Sequence, residues 1–173
     1  YLRELADAAP EPPPTRQVAY DCASRGGGTV GNGSETDFPS AGLLMTFGKG
    51  DHGKLGHGWG SENKLVPTFV EALRTVELIR IDSLSTHSVA VTLSGELLAW
   101  GNGDKNRLGH GTTEKQSLPR VMRALTGKPP VADVACGLGH TLALLVNGQP
   151  CSWGNGGNGR PGEGDTTDRQ TTC

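Results

Sequence analysis

The stretch FGKGDHGKLGHG, Phe47 to Gly58, carries the spacing G-x-G-x-x-G at Gly48, Gly50 and Gly53. In a dinucleotide-binding loop that spacing opens a helix whose N-terminus holds a pyrophosphate, and an acidic residue follows about 20 positions on. Here KLGHG follows Gly53, too rich in glycine to begin a helix. The stretch also recurs. GNGDKNRLGHG runs from Gly101 to Gly111 and GNGGNGRPGEG from Gly154 to Gly164, each displaced by 53 residues from the copy before it. The middle copy puts Asn106 where the other two have Gly53 and Gly159. A phosphate loop needs neither three copies nor a broken one. The glycines are turn residues, supplying positive φ at little steric cost, and no cofactor is expected.

Working outward, an aromatic residue precedes each copy, giving the pairs Phe47–Gly48, Trp100–Gly101 and Trp153–Gly154. Leu55–Gly56 and Leu108–Gly109 sit inside the copies, where the leucines read as pegs that tuck a returning loop against the neighbouring unit. A second landmark keeps the spacing: STHSVAVTLSGELLAWG aligns with LGHTLALLVNGQPCSWG and sets His87 on His140. Between landmarks lie four strand-sized segments per period, such as SLPRVMRAL, PVADVAC, HTLALLV and QPCSW. SGE (Ser94 to Glu96) and NGQ (Asn147 to Gln149) read as hairpin turns. A helix over FVEALRTVELIRI has some periodicity, but Gly127, Pro129 and Pro130 interrupt its counterpart. Four strands per period is the content of one propeller blade. The expected fold is all-β, a partial β-propeller of ~53-residue four-stranded blades, with two good repeats and a degenerate third. In that third copy Pro161 replaces the peg leucine, Glu163 replaces His57 and His110, and Pro150 replaces Leu97. These changes argue against a well-formed third blade.

The composition agrees with a turn-rich β fold. Gly (27) and Pro (11) make up about a fifth of the 173 residues, against roughly an eighth in average usage. The net charge is −2 and the sixteen Lys and Arg are scattered without a run or interleaved aromatics, which disfavours nucleic-acid binding by bulk electrostatics. No apolar run reaches the 18 residues of a membrane-spanning helix. The four cysteines, Cys22, Cys136, Cys151 and Cys173, form no C-x-x-C pair. Cys136 and Cys151 sit in apolar runs as small reduced hydrophobes, which points to an intracellular compartment, the cytoplasm with the nucleus as alternative. Residues 1–40 are rich in Pro, Gly and Ser and lack the apolar strand of the repeat, Thr36, Asp37 and Phe38 standing where Val89, Ala90 and Val91 do. They read as a linker or an eroded blade, and residues 41–173 as an incomplete propeller. The start at Tyr1 and the stop at Cys173 in a polar stretch read as a segment of something longer.

WGNGDKNRLGHG, the following Pro67 and Pro119, VADVACGLGHTLALL and the closing SGELLAWG together resemble the repeats of the regulator of chromosome condensation family, over residues 41 to about 165. The resemblance implies a seven-bladed propeller fold. FGKGDHGKLGHG and WGNGDKNRLGHG look most like the propellers of HERC-type ubiquitin ligases, which implies a docking or regulatory module with ubiquitin transfer on a separate domain. By this resemblance the chain is a scaffold for protein partners, a ubiquitin-pathway protein among them, and holds no catalytic site. The alternative implied by other relatives is an exchange or regulatory factor for a small GTPase.

The chemistry-bearing residues fit that reading. His57 and His110 are repeat-equivalent, as are His87 and His140, so each pair is split between blades and reads as structural rather than metal-binding. Cys136 and His140 have no visible orienting group for nucleophilic catalysis. Trp100 and Trp153 close their blades, whereas Trp59 stands outside the repeat, in HGWGSENK. It is the candidate for a partner contact, and packing on a neighbouring loop is its more ordinary role. Its loop, Trp59 to Leu65, is one residue longer than the counterpart that starts at Thr112, and loops that differ between blades are where partners bind.

Overall fold

Short apolar segments alternating with glycine turns build eleven β-strands in a computed structural model that describes residues 17–21, 43–60 and 62–173. In chain order they are β1 (Gln17–Asp21), β2 (Leu43–Gly48), β3 (Lys64–Phe69), β4 (Leu78–Leu84), β5 (His87–Thr92) and β6 (Leu97–Gly101). They continue as β7 (Gln116–Val121), β8 (Val131–Cys136), β9 (His140–Leu145), β10 (Pro150–Gly154) and β11 (Arg169–Thr172). Three sheets result, in the orders β1-β2-β3, β4-β5-β6-β7 and β8-β9-β10-β11. The two four-stranded sheets are antiparallel throughout, with the turns at Ser94–Gly95 and Asn147–Gly148 joining paired strands.

The sheets do not begin where the sequence period begins. Each glycine stretch lies inside a sheet, between β2 and β3, β6 and β7, or β10 and β11. Counted from one glycine stretch to the next, a period therefore supplies the last strand of one sheet and the first three of the next. In the first sheet β1 occupies the place that β5 and β9 hold in theirs, but runs parallel to β2, with Gln17 opposite Leu43 and Asp21 opposite Phe47. The remainder of residues 1–40, including the Thr36–Phe38 gap, lies outside the described residues.

The third sheet is complete despite its altered residues. Pro161 is buried where Leu55 and Leu108 are, and the Ser152 hydroxyl donates to its carbonyl at 2.8 Å as Thr46 donates to Leu55 at 2.7 Å. Pro150 is the first residue of its strand, where a missing N–H is tolerated. The fourth strand brings one correction. Cys151, expected as a reduced hydrophobe, is disulfide-bonded to Cys173. The antiparallel pairing of β11 with β10 sets their Cα atoms 4.1 Å apart, a proximity that a sequence separation of 22, through glycine-rich sequence, hides.

The core lies between sheets. One cluster, with Leu44, Val70, Ala90, Leu98 and Trp100, fills the seam between the first and second sheets. A larger one, with Val89, Val91, Leu108, Met122, Val131 and Trp153, fills the seam between the second and third. Strand β5 is covered on both faces, so all six of its residues are buried. In β9 only alternate residues are buried, and Leu142 and Leu144 stay exposed.

Candidate interaction surface

The repeated glycine stretches are the joints of this stack. The first and second stretches each lie on the aromatic residue of the next sheet. The Trp100 indole N–H donates to the Lys54 carbonyl at 2.8 Å, and Trp153 donates to the Arg107 carbonyl at 2.9 Å. The Ser88 and Thr141 hydroxyls donate to the same two carbonyls. Leu55 and Leu108 are buried beside these bonds. Gly56 and Gly109 let the indoles come close, since a Cβ there would lie 3.0 and 2.9 Å from the ring nitrogens. Gly101 and Gly154 have φ of +106° and +107°, and a Cβ on either would meet a backbone oxygen at 2.6 Å. Gly48 shares their positive φ, while Phe47, the aromatic of the first sheet, is half-buried.

Cations and histidines complete the seams. Lys54 reaches across to the Ser85 carbonyl at 2.9 Å, and Arg107 reaches the equivalent Leu138 carbonyl and the Thr86 hydroxyl. Asp82 receives the Cys136 N–H at 2.6 Å across the next seam, and the Cys136 thiol points at the Asp82 carbonyl. His87 is fully buried, with Nε2 2.9 Å from the Thr141 hydroxyl of the neighbouring sheet. Because that hydroxyl already donates to Arg107, it accepts from His87, which fixes the Nε2–H tautomer of the neutral ring. Burial, reinforced by Arg107 and His140, lowers the His87 pKa to about 3. His140 is only half-buried. His57 lies 3.0 Å from the Thr46 hydroxyl and His110 donates to the Ala99 carbonyl at 3.1 Å, both with pKa lowered by burial. Among the described residues no three His, Cys, Asp or Glu side chains gather as a metal site would require.

What the scaffold displays is apolar. Trp59, in the longer loop, and Leu65, which the structure places as the second residue of β3, are each 94% exposed, and Val66 next in the strand is exposed as well. Repeat position distinguishes this tryptophan from the other two, which are 0% exposed. Single exposed apolar residues are ordinary, but a tryptophan so fully exposed in a loop anchored at both ends is not.

The repeat profile described as "Regulator of chromosome condensation (RCC1) repeat" matches residues 41–91 and 94–144. The E3 ubiquitin-protein ligase HERC2 of Mus musculus is 41% identical over 114 residues, which cover 66% of this chain and 2% of the ligase. The ultraviolet-B receptor UVR8 of Arabidopsis thaliana is 38% identical over 130 residues, covering 75% of this chain and 29% of the receptor. The crystal structure of Prp20p from Saccharomyces cerevisiae superposes with a TM-score of 0.64 at 24% identity, over 73% of this chain and 32% of that one. The chain thus spans less than a third of the receptor and a small fraction of the ligase. The matched repeats take in the first two glycine stretches, the Ser88–Lys54 and Thr141–Arg107 bonds and the His87–Thr141 link, and stop short of Trp153. The chain belongs to the RCC1 repeat family.

Proposed function

We propose that the chain is a non-catalytic protein-interaction module that serves as a regulatory propeller segment of a HERC2-like ubiquitin ligase. The observation that carries this reading is the pair Trp59 and Leu65, an exposed loop aromatic and an exposed leucine at the start of β3, held on a framework whose joints are closed by buried hydrogen bonds. Aromatic anchors on rigid supports are the residues from which protein interfaces draw most of their energy. The similarity to HERC2 supports the ubiquitin-pathway setting. The module proper is residues 41–173, to which β1 adds one strand.

The test is quantitative affinity capture with the wild-type chain and with Trp59→Ala, each first shown to melt at the same temperature. Ubiquitin-pathway proteins that bind the wild type and are lost from the variant support the reading. Capture of a small GTPase in a nucleotide-dependent manner, unaffected by Trp59→Ala, overturns it in favour of an exchange or regulatory role. The known binding of Prp20p to Gsp1p belongs to that protein; at that identity the likeness supports the fold alone.

A further inference from the structure

A groove of about 520 Å3 runs between the outer strands of the second and third sheets, within the about 300–1,000 Å3 of typical ligand sites. Its floor is the loop around His110, and its walls are the end of β7, the short turn that follows, and β11. Arg120, Arg123 and Lys128 line it, and no Asp or Glu side chain does.

The charge in this groove has no internal counterpart. Among the described residues, seven Lys and Arg side chains are in ion pairs. Arg107 and Arg160 bond backbone carbonyls instead. Arg120, Arg123 and Lys128 do neither, and only Lys115 shares that condition outside the groove. A chain of net charge −2 therefore keeps three of its uncompensated cations in one cleft. Such a concentration raises the local density of anions, and arginine in particular pairs carboxylates in bidentate fashion.

The walls decide what kind of anion fits. Strands β7 and β11 are the outer edges of their sheets, each paired on one side only. An edge strand offers unpaired backbone groups along its length, a template for an added extended segment. A nucleic acid would need more cations and broad aromatic platforms for its bases, and no Phe, Tyr or Trp lines the groove, whose one ring is the half-buried His110. We propose that the groove between β7 and β11 binds an extended acidic peptide of a partner protein, with Arg120, Arg123 and Lys128 pairing its carboxylates. This site is separate from the Trp59 loop and does not rest on it.

Fluorescence anisotropy on the full chain tests the proposal with three labelled probes: a short peptide alternating Asp and Val, its Asn–Val analogue, and an oligothymidylate of similar length. The acidic peptide is expected to bind in a salt-sensitive manner, and its Asn–Val analogue at least about tenfold more weakly. The combined Arg120→Glu, Arg123→Glu and Lys128→Glu variant is expected to lose binding by a similar factor, while Lys115→Glu leaves it unchanged. All three groove side chains are exposed, so the melting temperature should hold; Arg123→Gln alone, with a smaller loss, serves if the triple variant does not fold. No binding of the acidic peptide, an equal loss in Lys115→Glu, or tighter binding of the oligothymidylate would each overturn the proposal.

Discussion

At the scale of single residues, His87 shows how a buried polar group can join two sheets and yet make the joint sensitive to acid. Its Nε2–H is used by Thr141, and its Nδ1 has no hydrogen-bond partner. A proton added at Nδ1 would create a buried donor with nothing to accept it, next to Arg107, which is why the pKa falls to about 3. The unfolded chain binds that proton near pH 6.5. Between those values the unfolded state holds more protons than the folded one, so stability is complete above about pH 6.5 and declines as pH falls toward 3. His57, His110 and His140 are shifted in the same direction by burial and add to the slope. Urea midpoints measured at about pH 7.5, 6 and 5 should therefore fall before carboxylates begin to titrate near pH 4. His87→Gln should lower the midpoint at pH 7.5 and flatten its pH dependence; an unchanged slope would show that another group sets it. Glycine at position 101 is fixed by a different constraint. Gly101→Ala forces a Cβ onto the Thr86 carbonyl at φ +106°, and should cost more than about 1–2 kcal/mol in the same denaturation experiment.

At the scale of elements, the glycine loops and the tryptophans divide into joint and display. Trp100 fills the seam and bonds the preceding loop, so Trp100→Ala should cost about 3–5 kcal/mol. Trp59→Ala removes a side chain that touches solvent over 94% of its surface and should stay within about 0.5 kcal/mol of wild type. Equal losses in thermal or urea unfolding would mean that Trp59 packs in solution. The strands and their hairpins are legible in the sequence because each is a local pattern, an apolar run closed by a glycine turn. The sheet boundaries are not, because the repeated glycine stretch marks a turn inside a sheet, and which strands pair across it is a non-local fact. The same reason hides the parallel β1 and the Cys151–Cys173 bond. Arg120, Arg123 and Lys128 look scattered in sequence, and only the meeting of β7, its following turn and β11 makes them one surface. Trp59 is legible as an exception to the repeat, but its exposure is a property of the folded loop.

At the scale of the whole molecule, stability comes from sheets stacked on sheets, and each face is worth what covers it. The repeat supplies its own control. Val91 of β5 faces the third sheet and is 0% exposed, whereas Leu144, 53 residues on in β9, is 43% exposed. The two positions share strand, register and repeat environment, and they differ in having a neighbouring sheet. Val91→Ala should cost about 2 kcal/mol, from lost burial and the cavity left behind. Leu144→Ala should stay within about 0.5 kcal/mol, although it deletes more atoms. Urea midpoints for both variants, taken at two protein concentrations, decide the matter. If Leu144→Ala costs as much as Val91→Ala and its effect grows with concentration, the outer face of β9 is covered by another molecule in solution. That outcome would make the face an interface, and Leu144→Lys should then lower the mass seen by light scattering. If Leu144→Ala is silent at both concentrations, the third sheet holds its shape with one bare face. The four-stranded pairing of β8 to β11, and the buried Pro161 and Trp153 beneath it, are then sufficient to terminate the stack.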